Sequence, residues 1–144
     1  MNKQATDRLI IKSPFKSRPA AFWIGLGTAA LAIVSAVMLI ALDHGDKTFS
    51  ATAFVCMLVG GITFAAVVFF DIELAAVVPG LLYVIGFAFE LDATLPPLSD
   101  VWNGVNFIGG NATMGLTFTV IFAVCALIAV VTCFMEQGRK AQNK

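Results

Sequence analysis

Two carboxylates, Asp71 and Glu73, are the only charged residues in an apolar run that extends from Phe49 to Phe89. Ionisable groups at membrane depth often bind an ion or a proton, so this pair is a candidate ion or proton site. A structural interpretation competes with it. Asp and Glu also favour the first turn of a helix, where free N–H groups and the helix dipole stabilise negative charge. The sequence favours the capping role.

Glu90 is the third candidate for ion or proton binding. It follows the apolar run directly, at the predicted C-terminal end of a helix, where the helix dipole disfavours an anion. We therefore expect water to solvate it. Together with Asp92 and Asp100, it would form an acidic vestibule that attracts cations.

Other kinds of chemistry have little support in the sequence. Asp43, His44 and Asp46 offer metal-ligand side chains within one short turn, but a zinc site needs three or four converging ligands with supporting hydrogen bonds. We predict no metal site and no other cofactor. The chain has one histidine and lacks a Gly-rich phosphate loop, so we predict that it is not an enzyme. It also lacks a folded basic surface for nucleic acid.

Composition places the chain in the membrane class. Its 144 residues are 59% hydrophobic and 12% charged, with a mean hydropathy of +0.91, whereas about 25% of the residues of a soluble domain are charged. A membrane-crossing helix needs about 20 apolar residues, so the run of about 40 must fold back at Asp71 and Glu73. The predicted fold is an all-α membrane protein with four transmembrane helices in two hairpins. The spans comprise residues 20–42, 49–70, 72–89 and 112–135.

A long outer loop, residues 90–111, separates the last two spans. After Leu95-Pro96-Pro97, apolar residues recur at helical spacing. This pattern predicts a short interfacial helix at about residues 99–108, lying on the membrane surface and ended by Gly109-Gly110. Trp102, Asn103 and Asn106 on this segment are the candidate interface residues.

The distribution of basic residues predicts the orientation. Eight of the nine Lys and Arg lie in the tails, residues 1–19 and 136–144, whereas the predicted outer loops contain five acids and only Lys47. By the positive-inside rule both termini are cytoplasmic, which requires an even number of spans. We expect a multi-pass protein of the cell membrane.

The layout resembles that of small, uncharacterised four-span membrane proteins of anaerobic Gram-positive bacteria. The resemblance rests on the compact helix hairpins and on the segment Val101-Trp102-Asn103-Gly104-Val105-Asn106-Phe107-Ile108-Gly109-Gly110-Asn111. It covers the overall layout. Because those proteins have no established activity, the resemblance implies no site residues.

Two functional hypotheses follow. The first is a non-catalytic accessory or interaction subunit of a larger membrane assembly, with the lipid bilayer and another membrane protein, or a second copy of the chain, as partners. Small residues in the spans favour it, because they allow close approach of helices. The alternative is a small oligomeric transporter or channel that binds an ion or proton at Asp71, Glu73 and Glu90.

Overall fold

The fold of residues 20–70 and 77–135 is described by a computed structural model. These residues form four α-helices and no strand: α1 (Ala20–Asp43), α2 (Ala51–Phe70), α3 (Val77–Trp102) and α4 (Ala112–Cys133). Each helix is long and apolar enough to cross a membrane. The predicted all-α fold with four span-length helices is confirmed.

The helices pack in the order α1, α2, α3, α4, and α1 closes the ring against α4. Residues 44–50 and 103–111 lie at one end of this bundle, which we call the loop end. At the opposite end, the rings of Phe22 and Phe69 lie 5.9 Å apart. There too, Sγ of Cys133 is 3.6 Å from where a Cβ would stand at Gly80. The chain therefore runs up and down through four antiparallel helices.

Glycines let α2 approach both of its neighbours closely. A Cβ at Gly60 would lie 2.8 Å from the ring of Tyr83 on α3, and one at Gly61 would lie 2.6 Å from the side chain of Ile33 on α1. Tyr83 is fully buried and stacks edge-on against Phe64, with ring centroids 5.9 Å apart. The Gly60-Gly61 pair therefore serves close packing of helices in an apolar environment.

The third helix differs from the prediction. It continues from Val77 to Trp102 with Pro96 and Pro97 inside it, and residues 103–111 form turns and irregular structure. The separate interfacial helix predicted at residues 99–108 is not present, because its first residues are the last turn of α3. The apolar spacing that predicted it belongs in part to that turn.

A glycine stop explains where α3 ends. Gly104 has a φ of 67°, and its N–H donates to the carbonyl of Val101 at 3.2 Å, while the N–H of Val105 donates to that of Asp100 at 3.0 Å. These two bonds form a Schellman motif, which satisfies the last carbonyls of a helix. The proline pair does not end the helix because the following turn is held by this motif and by a bond of 2.6 Å from the Ile108 N–H to the Asp100 carboxylate.

Candidate functional site

The predicted site residues lie in three different places. Asp71 and Glu73 fall outside the described residues. Trp102, Asn103 and Asn106 are all exposed at the loop end, where the Asn103 side chain donates to the Ser99 carbonyl at 2.8 Å. Glu90, which the sequence places in a solvated loop, is instead buried inside the bundle.

Glu90 is the most unusual polar side chain in the described part of the protein. Its exposed fraction is 0%, and neither carboxyl oxygen has a hydrogen-bond partner among the described residues. A Cβ at Gly110 in the loop would lie 3.5 Å from Pro97, so these two residues lie at the same depth along the bundle axis. Glu90 precedes Pro97 by seven residues, so it lies about 10 Å deeper in the bundle.

Asp43 brings a second buried carboxyl group to the same region. It is the last residue of α1 and is 2% exposed. The hydroxyl of Thr48 donates to its Oδ2 at 2.7 Å, because the turn after α1 folds back over the helix end. Asp43 and Glu90 are brought to one region by Gly115 of α4, which lies next to both Thr48, the donor to Asp43, and Thr94, one turn after Glu90.

Three threonines lie in the region of the two acids. Thr94 lies one turn after Glu90. The Thr94 hydroxyl accepts a hydrogen bond of 3.3 Å from the hydroxyl of Thr119 on α4. A Cβ at Gly115 would lie 2.7 Å from the Thr94 hydroxyl and 3.1 Å from Thr48, so the glycine permits this approach. We call Asp43, Thr48, Glu90, Thr94 and Thr119 the acidic centre. All five side chains are buried.

No basic side chain compensates the two acids within the described residues. Lys47 is the only Lys or Arg in that part of the sequence, and it is exposed. Its ammonium group donates to the carbonyl of Ile108 in the second loop. The acidic centre is therefore acidic and polar but lacks an internal cation.

The two loops are bonded to each other above the acidic centre. Oδ2 of Asp46 accepts the Asn111 N–H at 3.1 Å, and its Oδ1 accepts the Lys47 N–H at 2.6 Å. Together with the contact between Lys47 and Ile108, these bonds form what we call the loop clasp, made of residues 46–47 and 108–111. Thr48, directly after the clasp, has an exposed fraction of 0%.

The turn acids and histidine do not assemble as metal ligands. His44 is exposed, and its ring packs on Phe49 with centroids 5.3 Å apart, whereas Asp43 is buried and Asp46 is part of the clasp. The described ranges contain no group of three or more His, Cys, Asp or Glu side chains that could hold a metal ion.

The expected acidic vestibule is also not assembled. Asp92 is exposed, and Asp100 is ten residues from Glu90, or about 15 Å along the helix.

Comparison with known proteins gives no relative: no family model, no curated protein and no solved structure matches this chain. The resemblance to small four-span bacterial proteins stays a prediction. Any argument about function therefore rests on the acidic centre and its surroundings.

A helical spacing in the sequence could have revealed the buried face of α3. Tyr83, Glu90, Thr94 and Pro97 are separated by seven, four and three residues, which places them on one side of a helix. All four are buried, and the Tyr83 hydroxyl, like Glu90, has no partner among the described residues. A loop assignment starting at Glu90 hid this pattern.

Proposed function

We propose that this chain is a small multi-pass membrane protein that binds a proton or a small cation at the acidic centre and couples that binding to transport. The observation that supports this most directly is the burial of Glu90, whose carboxyl oxygens have no hydrogen-bond partner among the described residues, in the same region as the second buried carboxyl group of Asp43. This is the ion- or proton-coupled alternative, with Asp43 in place of the acids at 71 and 73.

Burying the Glu90 carboxyl group costs free energy. An ionised carboxylate inside a protein is strongly unfavourable unless it is paired or neutralised. A protein that gained nothing from Glu90 would be expected to have an apolar residue there. Buried acids in membrane segments are accordingly associated with ion and proton paths.

The side chains of the acidic centre suit binding better than covalent chemistry. They offer carboxyl and hydroxyl oxygens only, and the five side chains include no histidine or thiol to act as base or nucleophile. We therefore propose a non-catalytic protein that needs no cofactor.

Orientation determines the compartment from which the ligand comes. The basic residues of both tails favour cytoplasmic termini, which would place the loop end and the acidic centre near the outer surface. A cysteine introduced at exposed His44, in a chain whose native cysteines are replaced by alanine, should react with a membrane-impermeant maleimide added to intact cells. A cysteine at Gln4 should react only after lysis, and the reverse pattern would contradict the orientation.

Flux through reconstituted protein tests the function. The full chain in liposomes should move protons, read by an internal pH dye, or sodium, read by a radioactive tracer, when a gradient is imposed. Glu90→Gln and Asp43→Asn should abolish this flux, whereas the exposed control Asp92→Asn should retain it. Equal flux through wild-type protein and Glu90→Gln, with both correctly folded, would refute the proposal.

A second candidate, the accessory subunit, is favoured by a different surface. Trp102 and Phe107 are 88% and 87% exposed at the loop end. Two adjoining apolar cavities of about 200 and 330 Å³, both lined by Val84 and Val130, lie between α3 and α4. Such surfaces suit another membrane helix. A stable partner that copurifies in mild detergent and is lost with Trp102→Ala would support this function, whereas a lone monomer would count against it.

A further inference from the structure

The hydrogen bonds of the acidic centre distinguish between its two possible ligands. A hard metal cation such as Ca²⁺ or Mg²⁺ requires about six or more oxygens directed at one point. Here the Thr48 hydroxyl donates to Asp43, and the Thr119 hydroxyl donates to Thr94. None of these hydroxyl groups is hydrogen-bonded to the carboxyl oxygens of Glu90, so no set of about six oxygens gathered around Glu90 is observed among the described residues.

The titratable groups that the structure describes around Glu90 provide no positive charge to pair with its carboxylate. Among the described residues, α1 contributes only Asp43 as a titratable group, and α2 contributes only Cys56, which lies next to Gly86 one turn before Glu90. On α4 the buried titratable group is Cys125. On α3 itself the others are Tyr83 and Asp100, and Asp100 lies about 15 Å from Glu90 along the helix. None of these groups is basic, so none can balance two ionised carboxylates.

The two acids differ in their surroundings. Asp43 accepts a hydrogen bond from Thr48 at 2.7 Å, which stabilises an ionised carboxylate. Glu90 accepts no hydrogen bond from the described residues, so its environment disfavours the ionised form. Two neighbouring carboxyl groups in one apolar site do not both ionise, because like charges repel strongly there.

We propose that the ligand of the acidic centre is a proton, held on Glu90 while Asp43 remains ionised. This inference rests on the proposed function and specifies its ligand. Binding forms an O–H bond on a Glu90 carboxyl oxygen, and the proton leaves a hydronium ion, which becomes water. Release reverses these steps, so the net charge of the pair rises by one on binding and falls by one on release, without a metal ion.

Infrared spectroscopy of the full chain in liposomes at neutral pH tests the inference. Wild-type protein should show the C=O stretching band of a protonated carboxyl group, shifted when the sample is moved into deuterated water. The Glu90→Gln variant should lose that band. Asp92→Asn, the matched control at an exposed acid on the same helix, should retain it. Sodium, potassium or calcium chloride should leave the band unchanged.

A second measurement uses the wild-type protein and does not depend on the folding of a variant. A membrane-soluble carbodiimide adds to a protonated carboxyl group in an apolar environment and forms a stable acylurea, which mass spectrometry assigns to a residue. The label should appear on Glu90 and be absent from Asp92. Labelling of Asp92 with none on Glu90 would overturn the inference.

The outcomes separate this inference from the proposed function. A band that disappears when sodium or calcium is added would overturn the proton and leave the acidic centre as a cation site. A wild-type spectrum without the band, together with flux that Glu90→Gln abolishes, would also overturn the proton as the ligand and leave the acidic centre as a cation site. Absence of the band, of any cation response and of flux would overturn both.

Discussion

Replacing Glu90 with methionine should make the protein more stable while it removes the proposed function. Methionine has nearly the length of glutamate, a similar helix propensity and no polar atom. In the bundle interior the substitution would exchange a carboxyl group that has no hydrogen-bond partner among the described residues for an apolar side chain of similar shape. Most substitutions at a fully buried position destabilise a protein, so a gain at this one would be unusual.

The size of the expected stabilisation by Glu90→Met follows from the hydrogen bonds that Glu90 lacks. A buried polar group left unsatisfied costs about 1–3 kcal/mol, and both oxygens of Glu90 are in that state. Replacing even a buried ion pair by apolar residues of similar volume is often neutral or stabilising, by up to about 4 kcal/mol. We therefore expect Glu90→Met to raise the free energy of unfolding by about 1–3 kcal/mol.

Reversible unfolding in mixed micelles, followed by circular dichroism as the denaturing detergent is increased, measures this difference. Asp92→Asn on the exposed side of α3 provides the control and should change the unfolding free energy by less than about 0.5 kcal/mol. A loss of more than about 1 kcal/mol in Glu90→Met would show that Glu90 has a structural partner. The argument that this residue is retained for function would then fail.

Three further predictions concern packing, the acidic centre and the loops. Gly60→Ala should destabilise the bundle by about 1–3 kcal/mol because its Cβ would meet Tyr83 at 2.8 Å, whereas Gly27→Ala, which meets nothing within 4 Å, should be neutral or stabilising in the same unfolding assay. Thr48→Val keeps the side-chain shape but removes the donor to Asp43, so it should lower the free energy of unfolding by about 1–3 kcal/mol. A change of less than about 0.5 kcal/mol would argue against this hydrogen bond. Asp46→Ala removes the acceptor of the Asn111 N–H and should speed hydrogen exchange at that amide. An unchanged exchange rate would show that the loop clasp does not protect it.

Much of the architecture could be predicted from apolar run lengths. Four spans and the first residues of α1 and α4, Ala20 and Ala112, agree with the structure, because helices of about 20 apolar residues are the main solution for crossing a bilayer. The length of α3 could not be predicted in the same way. A double proline usually marks the end of a helix, and only the bonds made by the following turn show that it does not do so here.

The acidic centre was harder to predict because its two acids come from different helices. The sequence pattern includes Glu90 among the candidates, but it places Asp43 in a solvated turn, since Asp43 directly follows an apolar run. Only the packing of both α1 and α3 against α4 brings Thr48, next to Asp43, close to Thr94, one turn after Glu90. Sequence patterns describe one face of one helix, whereas this contact depends on the relative depth of several helices.

The distribution of the acidic centre over two hairpins has a consequence for how the protein is made. The first hairpin, α1 and α2, contains Asp43, and the second, α3 and α4, contains Glu90. During synthesis each hairpin can enter the bilayer as a separate unit, and Asp43 and Glu90 meet only when the hairpins associate. The acidic centre therefore forms at that late step, so under the proposed function a chain that has inserted but not yet assembled would be inactive.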